Sequence, residues 1–152
     1  MTKGELNSFA ISLAKKEFLK RGYSIEESPA SLGEVNFLAI PTQGAAKKIK
    51  VRSASHVSSY IFITKDKFNI DDPDLYLAVV YVFGDPKDAK LYVIPATEWQ
   101  KNIYPFISRD YNKKGQISKP EWGISSSQKG IDAMKSYQGL QKKFSMRTPL
   151  QE

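Results

Sequence analysis

The chain contains no cysteine and only one histidine, His56. Without thiols it can form neither disulfides nor thiolate metal sites, and a single imidazole cannot be joined by a second one in a zinc site. We therefore expect any metal site to use oxygen ligands. The sequence also lacks a nucleophile elbow and a Gly-rich phosphate-binding loop.

Long apolar runs are missing as well. No stretch approaches the roughly 20 apolar residues of a membrane-spanning helix, and the first residues lead into an amphipathic pattern instead of the apolar segment of a signal peptide. The absence of cysteine is compatible with a reducing compartment. The sequence therefore predicts a cytoplasmic protein with no membrane partner.

The composition is that of one basic domain. The 152 residues are 41% hydrophobic, which is enough to form a single core. Twenty-three Lys and Arg against sixteen Asp and Glu give a net charge of +7, which favours polyanionic partners but also serves solubility. We expect a domain over residues 1–144 and a flexible tail over residues 145–152.

The hydrophobic pattern predicts an α/β fold. Apolar residues at helical spacing, ended by Gly22, predict a first helix over residues 3–21. The order predicted is a helix, a β-meander and then mostly helix, with a mixed sheet of about five strands and helices packed on it. The main predicted strands cover residues 35–40, 47–53, 60–63, 75–83 and 90–94, and later helices are expected over 97–107 and 131–140. Residues 112–116 and 125–127 are predicted as loops.

The predicted strand over residues 47–53 carries a cationic stripe. Its alternation places Lys48, Lys50 and Arg52 on one face and Ile49 and Val51 on the other. Lysine offers a point charge and arginine a planar fork of donors, so the stripe could bind phosphate. It could equally be the solvated face of a half-covered sheet.

Residues 35–39, VNFLA, precede a short turn and the triplet KVR at residues 50–52. Together with Glu5 on the first helix, this order and spacing resembles the PD-(D/E)xK, or restriction-endonuclease-like, nuclease superfamily over residues 3–95. Two short segments, YVIP at residues 92–95 and KPEWGI at residues 119–124, resemble an uncharacterised bacterial branch of this superfamily. The resemblance implies a restriction-endonuclease-like core.

The resemblance also implies a degenerate site. The superfamily's strand acid falls at Asn36, its acid-x-Lys motif at Lys50 and Arg52, and its accessory glutamate at Glu5. Active members hold Mg²⁺ with the two acids. Two unit charges about 4 Å apart interact by about 4 kcal/mol at an effective dielectric of 20, so Lys50 and Arg52 repel such an ion. We expect a vestigial site without a cofactor, in a protein that binds nucleic acid through Lys48, Lys50 and Arg52 or acts as a regulatory module.

Two alternatives stay open. In an active metal-dependent nuclease, Glu34 and Glu5 would replace the missing acids and hold Mg²⁺, although Glu5 also follows Thr2 at the spacing of a capping box. In the other alternative the chain is a protein-interaction subunit or inhibitor in a defence or mobile-element system.

Overall fold

The computed structural model describes residues 1–115 and 117–140. Over these residues the chain forms two α-helices and eight strands, joined by turns and short 3₁₀ segments. In chain order the elements are α1 (Lys3–Lys20), β1 (Ser24–Glu27), β2 (Phe37–Ile40), β3 (Lys47–Ala54), β4 (Tyr60–Thr64), β5 (Leu75–Tyr81), β6 (Lys90–Pro95), β7 (Phe106–Arg109), β8 (Glu121–Ser125) and α2 (Gln128–Ala133).

A mixed five-stranded sheet has the order β1-β2-β3-β5-β6. The predicted hairpin of β2 and β3 and the pairing of β5 with β6 are both antiparallel, whereas β3 and β5 are parallel. Parallel neighbours need a crossover, and here the segment that contains β4 provides it. The predicted α/β class with a mixed five-stranded sheet is confirmed.

Helix α1 covers one face of this sheet. It begins at a capping box, in which the Thr2 hydroxyl accepts the Glu5 N–H at 3.1 Å and the Glu5 carboxylate accepts the Thr2 N–H at 2.7 Å. It ends before Gly22, whose φ of +90° is a conformation that glycine adopts readily. The helix buries Ala10, Ala14 and Phe18. Its packing against Ile49 and Val51 of β3 places Lys48, Lys50 and Arg52 on the opposite face.

A second sheet of three strands, in the order β4-β8-β7, was not predicted. The prediction of β4 as part of the meander is wrong, because β4 pairs with β8. The predicted helix over 97–107 is also wrong: a 3₁₀ segment, Ala96–Lys101, is followed by Asn102 in the left-handed region and then by β7. Pro105 lacks the N–H that a continuing helix needs.

Apolar residues of this second sheet share one hydrophobic cluster with Leu75, Leu77 and Val79 of β5. In the parallel pairing of β5 with β3, the three β5 residues lie beside Lys48, Lys50 and Arg52 of β3. The second sheet therefore packs on the cationic side of the first sheet. This packing explains why charged residues of a central strand become partly or fully buried.

The last helix is shorter than predicted. Helix α2 ends at Ala133, and Tyr137 lies in a separate 3₁₀ turn. Gly139 then donates its N–H to the Leu91 carbonyl at 2.6 Å, so the backbone pairs with β6 instead of continuing the helix. Ser126, in the predicted loop 125–127, is buried against the Tyr81 hydroxyl. Residues 141–152, which include the predicted domain end and tail, lie outside the described part.

The Tyr60 ring lies across Gly123 of the neighbouring strand, where a Cβ atom would overlap it. We predict that Gly123→Ala destabilises the fold by about 1–3 kcal/mol through overpacking. In a Tyr60→Ala background the same change is expected to cost close to zero, because the obstructing ring is gone. Denaturant unfolding of both single variants and the double variant measures the coupling. An equal cost in both backgrounds would contradict this packing.

Candidate functional site

Three cations converge on Glu34, which lies in the loop before β2. Its carboxylate lies 3.2 Å from the Lys50 ammonium, 4.0 Å from the Arg52 guanidinium and 3.7 Å from the Lys67 ammonium. Lys50 and Arg52 project from the same face of β3, and Lys67 comes from the turn after β4. These four residues, here called the Glu34 cluster, contain three positive charges and one negative charge.

Lys50 is the buried member of the Glu34 cluster, with 7% of its surface exposed. Burial lowers the pKa of Lys50, the nearby Arg52 charge lowers it further, and Glu34 opposes both effects. The hydrogen bond and charge of Lys50 in turn lower the pKa of Glu34. The interpretation of the stripe as a solvated sheet face therefore does not describe Lys50.

Lys48 is directed to a different partner. Its ammonium lies 2.5 Å from the carboxylate of Asp72, which also accepts the Asp74 N–H in the turn before β5. The predicted binding stripe is thus divided between two carboxylates. Lys50 and Arg52 come together, whereas Lys48 belongs to a separate ion pair.

The other residues of the predicted vestigial site have structural contacts of their own. The Asn36 side-chain carbonyl accepts the Val51 N–H at 2.7 Å and so fastens the start of β2 to β3. Glu5 completes the capping box of α1, and the hydrogen bond from the Thr2 backbone lowers the pKa of Glu5. The structure therefore brings two of the four predicted residues, Lys50 and Arg52, to one carboxylate.

The oxygen atoms at these positions do not fit Mg²⁺, which needs near-octahedral oxygen coordination. The Asn36 side-chain oxygen accepts a backbone N–H, the Glu5 carboxylate accepts the Thr2 N–H, and the Glu34 carboxylate is paired with three cations. Within residues 1–115 and 117–140, no group of three or more acidic or histidine side chains is arranged to hold a metal. We derive no step that uses a metal ion.

A groove of about 950 Å³ lies between the first turn of α1 and strands β3 and β4. Lys3 and Asn7 contribute to the helix side, and Arg52, Tyr60 and Phe62 to the strand side. Lys3 and Arg52 are the charged side chains that line it, and no described carboxylate does. The groove is therefore cationic.

Arg52 connects the Glu34 cluster to this groove. Its Nε donates to the Phe62 carbonyl at 3.1 Å, and its Nη2 lies toward Glu34. Because each Nη carries two N–H groups, the guanidinium can donate to an anion in the groove as well as to these acceptors. The contacts with β4 and Glu34 fix the direction of the planar fork.

Lys3, Tyr60 and Phe62 are groove residues that the sequence analysis missed, and Phe62 is the most exposed apolar ring among them. Its side chain is 47% exposed, while Ile61 and Ile63 on either side of it are buried. The alternation in β4 contained the signal that Phe62 faces away from these two residues. Without β8, however, it could not be known which face of β4 is covered.

Comparison of the chain with protein-family models and with curated protein sequences gives no match. None of the helices in the described part of the chain is long and apolar enough to cross a membrane.

We predict that Glu34→Gln lowers the free energy of unfolding at pH 7 by about 1–2 kcal/mol, because it leaves the Lys50 ammonium buried without a charged partner. The control is Glu27→Gln, since Glu27 is mostly exposed where it pairs with Lys15. That change should stay within about 0.5 kcal/mol of the parent protein.

The effect of Glu34→Gln should depend on pH. The pKa of Glu34 is lowered in the folded state, so its contribution is fully present above the ordinary value of 4.5 and is lost as the pH falls below it. Urea unfolding between pH 7 and pH 3 should show the two proteins converging at the acid end. A difference that stays constant across this range would contradict the ion-pair role of Glu34.

Proposed function

We propose that the protein is a nuclease-fold protein that binds nucleic acid without metal-dependent cleavage. The observation that carries this proposal is the groove, whose charged lining residues, Lys3 and Arg52, are both cations. The proposal includes the resemblance to the PD-(D/E)xK superfamily, which the succession of α1 and the β2–β3 hairpin supports. A cytoplasmic location belongs to the same proposal.

Phosphate fits the charge of the groove and of its surroundings. Arg52 offers a fork of donors that matches phosphate oxygens, and Lys3 adds a point charge on the opposite wall. The Glu34 cluster, to which Arg52 belongs, has three cations for one carboxylate. A net charge of +7 over the whole chain adds long-range attraction for polyanions.

Binding without hydrolysis follows from the same contacts. The positions that the resemblance assigns to metal-binding acids are Asn36 and Lys50, and both side chains hold other protein groups. An active nuclease would need Glu34 to leave its three cationic partners and join Glu5, which would break the capping box of α1. This cost makes the active-nuclease alternative the weaker proposal.

A protein partner is the second candidate, as a subunit or inhibitor in a defence or mobile-element system. The observation that favours it is apolar: Met1, Val57 and Phe62 are large hydrophobic side chains that are about half exposed or more, and Met1 and Phe62 line the groove. An acidic segment of another protein would be attracted to Lys3 and Arg52, and apolar side chains on that segment would contact Met1 and Phe62.

We predict that binding to duplex or single-stranded oligonucleotides weakens with salt, with a log-log slope of about −0.9 per duplex phosphate neutralised. The double variant Lys3→Gln/Arg52→Gln should flatten this slope by up to about 1.8 for duplex, because two phosphate contacts are lost. Lys135→Gln is the control, since this exposed lysine lines a different cavity. Fluorescence anisotropy across a salt series measures all three proteins.

No binding at low salt, or the same slope in the double variant as in the parent, would refute the groove as a nucleic-acid site. Binding of an acidic peptide in place of nucleic acid would then support the protein-partner candidate.

We also predict that neither Mg²⁺ nor Mn²⁺ supports cleavage of these oligonucleotides. Cleavage that EDTA stops and that disappears in Glu5→Ala and Glu34→Ala would instead establish the nuclease with rearranged carboxylates. Gel analysis after long incubation with metal decides between the two outcomes.

A further inference from the structure

Two aromatic rings lie beside the cations of the groove. Tyr60 and Phe62, here called the aromatic pair, stack with ring centroids 5.9 Å apart and an interplanar angle of 15°. Both rings line the groove with Arg52. The exposed 47% of Phe62 gives a flat apolar surface within a cationic cleft.

The aromatic pair is held in place from behind. The Arg109 guanidinium lies 4.2 Å from the Tyr60 ring centroid, and the ring crosses the bare backbone of Gly123. Glu121, which is buried, accepts the Tyr111 hydroxyl at 3.1 Å, and burial together with Glu121 raises the pKa of Tyr60. The surface that Phe62 presents is therefore preorganised.

Arg52 and Phe62 are coupled through one hydrogen bond, because the guanidinium Nε donates to the Phe62 carbonyl at 3.1 Å. Both residues also line the same groove, so a strand whose phosphate lies on Arg52 has its neighbouring base in the cleft that the Phe62 ring lines. Stacking of bases on aromatic side chains next to a cationic track is how proteins bind single strands without sequence preference. Bases inside a duplex are stacked on each other and cannot reach such a ring.

We propose that the groove binds single-stranded nucleic acid, with a base stacked on Phe62 and an adjacent phosphate on Arg52. This inference rests on the proposed nucleic-acid function and adds the class of strand. A volume of about 950 Å³ is at the upper end of ordinary ligand pockets, which is room for one base and its adjacent phosphate.

The test compares Phe62→Ala with Phe83→Ala. Phe83 is a matched control, because it is 45% exposed and stacked on Tyr81 with centroids 5.2 Å apart, but lines the other cavity. Labelled 12-mers of oligo-dT and oligo-rU, a duplex of equal length and an abasic 12-mer are titrated at fixed salt. Thermal unfolding checks that each variant is folded.

The comparison uses whichever of oligo-dT and oligo-rU the parent protein binds more tightly. We expect Phe62→Ala to weaken binding of that strand by between roughly 5-fold and 100-fold, and Phe83→Ala to change it less than 2-fold. Binding of the abasic strand, which retains phosphates but has no bases, should be the same in both variants. Phe62→Trp keeps an aromatic ring at this position, so its affinity for single strands should be close to that of the parent protein.

Equal affinity of the parent protein for single strand and duplex, or undiminished binding in Phe62→Ala, would overturn this inference while the proposed function stands. Absence of binding to every oligonucleotide would overturn both.

Discussion

The contact between Lys50 and Glu34 is the constraint on which the rest of the structure depends. Lys50 lies on β3, the middle strand of the five-stranded sheet, on the face that the second sheet covers. A buried ammonium is costly unless a carboxylate compensates for it. Glu34 provides that carboxylate at 3.2 Å and also pairs with Lys67. The Glu34 side chain thus links three segments: its own loop, which precedes β2; strand β3, through Lys50; and the turn after β4, through Lys67.

The same contact explains the character of the groove. One carboxylate cannot neutralise three cations, and the Arg52 guanidinium extends from the Glu34 cluster to the groove wall. Arg52 also bonds to the Phe62 carbonyl, which ties the position of β4 to the position of the charge. The mismatch with Mg²⁺ and the proposed affinity for phosphate therefore have one physical cause, an excess of positive charge held at fixed positions.

The sequence predicted the parts of the fold that local patterns determine. The capping box and Gly22 set the limits of α1, and alternation placed Lys50 and Arg52 on one face of β3. The partners of these cations were not predictable, because Glu34 and Asp72 come from loops whose positions depend on tertiary packing. Residues 121–125 likewise form a strand through pairing with β7, the preceding strand, and with β4, which is distant in sequence. This missing strand is why the exposed side of Phe62 escaped notice.

A metal-binding arrangement cannot be reached from this site by one substitution. An acidic side chain in place of Lys50 would lie next to Glu34 on a buried face and would repel it. An acid in place of Asn36 would still accept the Val51 N–H, but Lys50 and Arg52 would still oppose a cation. Because the Glu34 cluster has three cations around one carboxylate, a single added acid leaves an excess of positive charge, and the arrangement therefore resists stepwise conversion to a cation site.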